Sequence, residues 1–126
     1  MVTSFINTEP YRITHTNGRH TFYADEPEDV GGKDSAPSPD ELLEAALASC
    51  TLATLRMYTN HKGWNVGRID LQVTLERKNG QTIITRELQL QHPVAEEQKA
   101  RLVQVAKACP VSKTLAGSIQ LDVTIQ

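Results

Sequence analysis

Two cysteines, Cys50 and Cys109, are the residues of this sequence with the most chemistry to offer. They lie far apart and form no CxxC pair, and in a reducing compartment a permanent structural disulfide between them is not expected. They are either two buried spectators or a functional thiol pair. Cys50 sits in LEAALASCTLATLRMY (43–58), a run that is apolar, small-residued and helical in pattern. On such a helix its neighbours one turn and two turns away are Leu43, Ala46, Leu47, Ala53, Thr54 and Met57, with no cation among them. Burial raises a thiol's pKa, so Cys50 left to these neighbours stays protonated and inert. A reactive Cys50 therefore needs a cation from elsewhere in the fold or from a partner subunit. Cys109 shares a helical stripe with Leu102 and Val105, and Pro110 bends the chain just after it. Both thiols thus point toward the core, where the two helices are expected to pack. Contact between them is plausible from this pattern, but the spacing does not prove it.

The elements that must position these thiols can be read along the chain. PYRITHT and RHTFYADEP are strand-like runs around Asn17-Gly18, a hairpin-turn signal. EPEDVGGKDSAPSP is polar and rich in Gly and Pro, and reads as a loop. Ser38-Pro39-Asp40-Glu41 then supplies an N-cap serine, a proline at the first helical position and a glutamate at the third, which together make a capping box. Asp40 and Glu41 also suit the positive end of a helix. The helix should run to His61 or Lys62 and stop at Gly63. Its length, roughly 35 Å at about 1.5 Å per residue, marks it as the central buried helix. IDLQVTLERK and TIITRELQLQH alternate as strands around Asn79-Gly80, with Arg86 interrupting the apolar face of the second. A second helix is expected over Val94–Ala108, then a turn in VSKTLAG, then a last strand carrying Ile119, Leu121, Val123 and Ile125. The order is β-β-α-β-β-α-β, an α+β domain without internal repeats.

Composition sets the outer bounds. A length of 126 residues suggests one domain, residues 1–126, able to bury a core without disulfides. Charged residues are 22% of the chain and the net charge is −2, with basic residues scattered, which argues against general affinity for nucleic acid or membranes. The N-terminus lacks the basic and apolar regions of a signal peptide, and no apolar stretch is long enough to span a bilayer. The expected location is cytoplasmic.

At this point the residues match a known family. SPDELLEAALASCTLATLRMYTNHKGW resembles the central-helix motif of the OsmC/Ohr family of peroxide-detoxifying proteins, and EEQKARLVQVAKACPVSKTL resembles its second cysteine motif. ADEPEDVGGKDSAPSP is similar to the loop before that helix in OsmC-like members. The resemblance implies an OsmC-like fold, with a long central helix wrapped by antiparallel sheet in an intertwined homodimer whose active sites lie at the subunit interface. It implies that Cys50 is a peroxidatic cysteine, attacking the O–O bond of an organic or lipid hydroperoxide to give an alcohol and a sulfenic acid. Cys109 would then resolve it as a Cys50–Cys109 disulfide, and a dithiol reductant, suggested to be lipoyl-type, would restore both thiols. An arginine from the N-terminal β region would stabilise the thiolate, and a carboxylate would hold that arginine. Arg12 and Arg19 are both candidates, with Arg12 favoured because Arg19 adjoins the turn. Asp40 stands where the organic-hydroperoxide branch has a glutamate, and Glu41 is the alternative. About 15 Å of helix separates Asp40 from Cys50, so Asp40 could only orient the arginine. No metal, flavin, haem or nucleotide is implied.

The remaining tempting residues have plainer explanations. His15, His20, His61 and His92 lack metal-ligand spacing and read as surface or strand residues. Trp64 and Tyr58 read as packing or interface residues, and Met57 as core filler that could line the thiol pocket. Gly31-Gly32 lacks the strand and helix of a phosphate loop. Two other functions use the same residues: a non-catalytic binding module for a small apolar molecule, and a Cys50-dependent hydrolase of activated esters. A low thiol pKa separates the peroxidase from the binding module, and a disulfide formed after peroxide treatment separates it from the hydrolase.

Overall fold

The alternation and turn residues of the N-terminal region produce an antiparallel three-stranded sheet in the order β1 (Thr3–Ile6), β2 (Ile13–Thr16), β3 (Thr21–Ala24) in the computed structural model, which describes residues 1–126. The β2–β3 hairpin turns at Asn17-Gly18 as expected, and the Asn17 side chain accepts the amides of Arg19 and His20 at 3.0 and 2.8 Å. Strand β1 was not expected; TSFI is too short a run to announce itself, and it becomes a strand by pairing with β2, Phe5 opposite Thr14 and Ile6 opposite Ile13. The polar loop after β3 holds one 3-10 turn, Glu28–Val30. It is folded back by amides of Gly32 and Asp34 donating to Pro27 and Glu26.

The chain divides into two units, residues 1–45 and 46–126. Helix α1 (Pro39–Lys62, 24 residues) contributes its first turns to one and the rest to the other. Its start is the expected capping box: the Glu41 amide donates to Ser38 Oγ at 3.3 Å, and the Ser38 amide donates to Glu41 Oε1 at 3.0 Å. Gly63, at φ +69°, follows its last turn. The helix is buried along one stripe, Leu47, Thr51, Leu55 and Thr59, rather than all round. The face with Ala46, Ala53 and Met57 remains open, Met57 at 71%.

In the second unit β4 (Ile69–Lys78) and β5 (Gln81–Leu90) pair in full antiparallel register, Val73 opposite Arg86 and Lys78 opposite Gln81. Asn79 and Gly80 both take positive φ, +54° and +75°, the conformation a two-residue hairpin turn demands. Ile84, Arg86, Leu88 and Leu90 share the half-buried face of β5. Helix α2 (Glu96–Lys107) lies within the expected span and buries Leu102. A third helix, α3 (Pro110–Ala116), replaces the turn expected in VSKTLAG. Pro110 occupies its first position, where the missing N–H costs nothing.

The run from Ile119 to Ile125, expected as the last strand, pairs with no strand of this chain. Ile119, Leu121, Val123 and Ile125 are 51, 86, 95 and 99% exposed. Alternation records which side chains share a face; it does not supply the neighbouring backbone that a strand needs.

Candidate functional site

The second unit brings the two thiols together. Cys50 follows from its place on α1, one residue before the buried Thr51, and is half-buried. Cys109 lies at the N-cap of α3 and is fully buried. Both are free thiols. The Val111 amide at the start of α3 donates to Cys50 Sγ at 3.5 Å, and Thr51 Oγ1 lies 3.7 Å from Cys109 Sγ. The Cys50 thiol is near enough to Cys109 to help lower its pKa.

A cation, absent from the neighbours of Cys50 on its own helix, enters this region from β5. Arg86 Nη1 donates to Thr51 Oγ1 at 2.9 Å and to the Ala106 carbonyl at 3.0 Å, while Nη2 donates to Ser112 Oγ at 3.0 Å. Arg86 and Thr51 line an open cleft of about 320 Å³ with Leu71, Ile84, Leu88, Val103 and Ala106. The Cys109 thiol is held below its ordinary pKa. Burial pushes it up, but the Ser112 amide, the Thr51 hydroxyl, the Cys50 thiol and the Arg86 charge together outweigh burial.

The first unit has a second guanidinium, tied to a buried carboxylate. Arg12 Nη1 donates to Ser35 Oγ at 2.7 Å, and that hydroxyl donates to Asp25 Oδ2 at 2.6 Å. Arg12 also stacks over the Tyr23 ring at 4.3 Å. Asp25 is 3% exposed, and its pKa is lowered from the usual 3.8 to about 2. The Ser35 hydroxyl is the main cause; burial opposes it, and the amides of Glu26, Ser35 and Lys33 add to the lowering. Gly31, Gly32 and Lys33 line a small cleft of about 140 Å³ with Tyr11, Arg12, Asp25 and Ser35.

The candidates picked from the sequence therefore divide. Cys50 and Cys109 are neighbours in one unit, while Arg12, Arg19, Asp40 and Glu41 belong to the other. Arg19 is exposed beside the turn. Glu41 is committed to the capping box, and the Ser38 amide and hydroxyl lower its pKa. Arg86, Thr51, Ser112, Asp25 and Ser35 were missed. Arg86 left a signal, a charge on the otherwise apolar half-buried face of β5; the others are polar residues of ordinary sequence context. Tyr58 accepts a hydrogen bond from Arg101 Nε at 2.9 Å and meets Trp64 edge-on at 5.5 Å, a packing role for both rings. His15 Nδ1 lies 2.7 Å from Ser4 Oγ and His92 Nδ1 lies 3.1 Å from the Asn65 carbonyl.

Comparison with known proteins gives this arrangement its context. No curated protein sequence matches the chain. Among solved structures it is similar to an OsmC-like protein from Mycoplasma pneumoniae, at 21% identity and a TM-score of 0.74, covering 93% of this chain and 86% of that one. It is also similar to an organic hydroperoxide resistance protein OsmC from Legionella pneumophila, at 18% identity and a TM-score of 0.66, covering 93% and 88%. The organic hydroperoxide resistance protein OhrB of Bacillus subtilis aligns at 24% identity with a TM-score of 0.62, covering 93% and 90%. At these identities the likeness shows the fold. The family described as OsmC-like protein matches residues 32–124, a span that includes both thiols, Arg86 and Thr51. The chain belongs to the OsmC-like protein family.

Proposed function

We propose that this protein is a thiol-dependent reductase of organic hydroperoxides. The observation that carries the reading is the pairing of a half-buried Cys50 with a buried, acidified Cys109 in one unit. The names of two structural neighbours, both organic hydroperoxide resistance proteins, support it. The Cys50 thiolate attacks the distal oxygen of a hydroperoxide; the O–O bond breaks, the alkoxide takes a proton and leaves as an alcohol, and Cys50 becomes a sulfenic acid. Cys109 displaces hydroxide from that sulfur to form the disulfide. An external dithiol, of the lipoyl type, then reduces the disulfide by exchange and is itself oxidised. The apolar residues Ala46, Ala53 and Met57 on the Cys50 side of α1 favour an organic substrate over hydrogen peroxide. Arg12, oriented by Ser35 and Asp25, is the guanidinium assigned to the first step, with Asp40 as a further orienting carboxylate; Arg19 and Glu41 are the weaker assignments.

The working form is proposed to be a homodimer. The exposed alternating run Ile119–Ile125, the open face of α1 and the unpaired strand edges are surfaces that a second copy would cover.

The test is consumption of tert-butyl hydroperoxide and of hydrogen peroxide by purified protein with a small dithiol. Turnover should favour the organic substrate and disappear in Cys50→Ser. In Cys109→Ser a Cys50 sulfenic acid should form without a disulfide. No turnover, with both cysteines still reduced under excess peroxide, rejects the reading.

A further inference from the structure

The chemistry proposed above gives Arg86 no part, yet this side chain is fixed beside Cys109. It stands on the half-buried face of β5 between Ile84 and Leu88, where a charge is costly unless it is hydrogen-bonded and paired. All three of its acceptors, Thr51 Oγ1, the Ala106 carbonyl and Ser112 Oγ, are neutral. Its positive charge is therefore available to an anion. We propose that Arg86 is a positioning residue for the second thiol: through the Thr51 hydroxyl it holds Cys109 as the thiolate that closes the disulfide on oxidised Cys50. This role rests on the hydroperoxide-reductase reading.

Thr51 is the moving part. Its hydroxyl carries one proton, and two groups compete for it. The proton can go to the Leu47 carbonyl at 2.8 Å or toward Cys109 Sγ at 3.7 Å. Arg86 donates to the oxygen in either case, so it never competes for that proton and only strengthens the hydroxyl as a donor. With Cys109 protonated, the hydroxyl bonds to Leu47 within its own helix. With Cys109 ionised, rotation about one bond turns it to the sulfur, completing a guanidinium–hydroxyl–thiolate relay. The titratable and charged groups around Cys109 are Cys50 from α1 and Arg86 from β5, with Lys107 of α2 lining the same cleft as Arg86. The lowered pKa of Cys109 agrees with this arrangement.

The step balances. The Cys109 proton has gone to solvent. The Cys109 thiolate attacks the Cys50 sulfenic sulfur, an S–S bond forms as the S–O bond breaks, and hydroxide leaves to take up a proton as water. The Cys109 sulfur is oxidised and the Cys50 sulfur reduced to the common disulfide level. Thiolate fraction rises tenfold per unit of lowered pKa, whereas nucleophilicity falls by less, so the lowering accelerates closure while the pKa stays above ambient pH.

The test uses the full chain with Cys50→Ser, which leaves Cys109 as the sole thiol, and follows thiolate ultraviolet absorbance against pH. Cys109 should titrate below the ordinary thiol range. It should move upward with Thr51→Val and with Arg86→Met, and Arg86→Lys should lie between. In the two-cysteine protein, single turnover with tert-butyl hydroperoxide reads the steps separately. A 1,3-diketone traps the sulfenic acid, and mass spectrometry counts disulfide. Thr51→Val and Arg86→Met should accumulate sulfenic acid and form the disulfide about tenfold or more slowly at neutral pH, the loss of one hydrogen bond within a charged network. The deficit should shrink as pH rises, which a merely structural defect would not do. Should Arg86→Met fail to fold, Arg86→Lys and Thr51→Val carry the same comparison. An unchanged Cys109 titration in these variants overturns the proposal. Absence of disulfide in the wild type together with absence of trapped sulfenic acid in Cys109→Ser rejects the reductase reading itself, and with it the disulfide role.

Discussion

At the scale of single residues, two hydroxyls do related work. Ser35 links Arg12 to Asp25, and Thr51 links Arg86 to the Cys109 thiol. In each case a guanidinium donates to a hydroxyl that faces an acid. Asp25 makes the consequence measurable. Its folded pKa, about 2, lies below the ordinary 3.8, so its ionised form favours the folded state. That contribution is complete above about pH 4 and is lost as pH falls through 4 toward 2. Asp25→Asn should therefore lower the urea midpoint at neutral pH and flatten its fall over the acid range; a variant curve parallel to the wild type would count against the network. Leu55, fully buried on α1, makes a different kind of contribution. Leu55→Ala should cost about 2–5 kcal/mol in denaturant unfolding, through lost transfer energy and the cavity left behind.

Elements depend on local chemistry that was visible in the sequence and is now tied to atoms. The α1 capping box satisfies two backbone amides at the helix start, those of Ser38 and Glu41. Ser38→Ala should cost about 1 kcal/mol in chemical denaturation. The loop before α1 is more sharply constrained. A Cβ added at Gly32 would lie 1.9 Å from the Glu26 carbonyl oxygen, a backbone atom that cannot swing aside. Gly32→Ala should open this loop and release Ser35 from Asp25, which amide hydrogen exchange at Ser35 would reveal. The α3 helix shows where local reading stopped short. VSKTLAG follows a proline and precedes a glycine, which suits a turn as well as a short helix; Pro110 at the first helical position tips it to the latter.

At the scale of the whole molecule, what matters is the surface the chain leaves uncovered. Ile119, Leu121, Val123 and Ile125 form an alternating set with no strand beside them, all more than half exposed. An edge of this kind, alone, is an invitation to aggregate. In the proposed homodimer it pairs with a second copy. The full chain should sediment as a dimer at micromolar concentration. Removal of residues 118–126, or Val123→Asp, should shift it toward monomer and lower its thermal midpoint. A monomeric full chain would reject the dimer. No helix is long and apolar enough to cross a membrane.

The sequence alone determined the local features: the two hairpin turns, the capping box with its proline, the glycine stop at the end of α1 and the apolar period of each helix. These are decided within a few residues by backbone sterics and hydrogen-bond supply, so they can be read in one dimension. It also carried the paired cysteine motifs, and with them the family. Tertiary structure decided which cation lies beside Cys109. Arg12 was favoured because it lies in the expected region, yet within its own unit it is engaged with Ser35 and Asp25, while Arg86, noticed only as a break in alternation, reaches Thr51 and Ser112. That outcome depends on residues 35 and 26 positions apart along the chain coming within hydrogen-bond reach. Hydrogen bonds of this range follow from how β5, α1 and α3 pack together, and packing leaves no periodic trace in the order of residues.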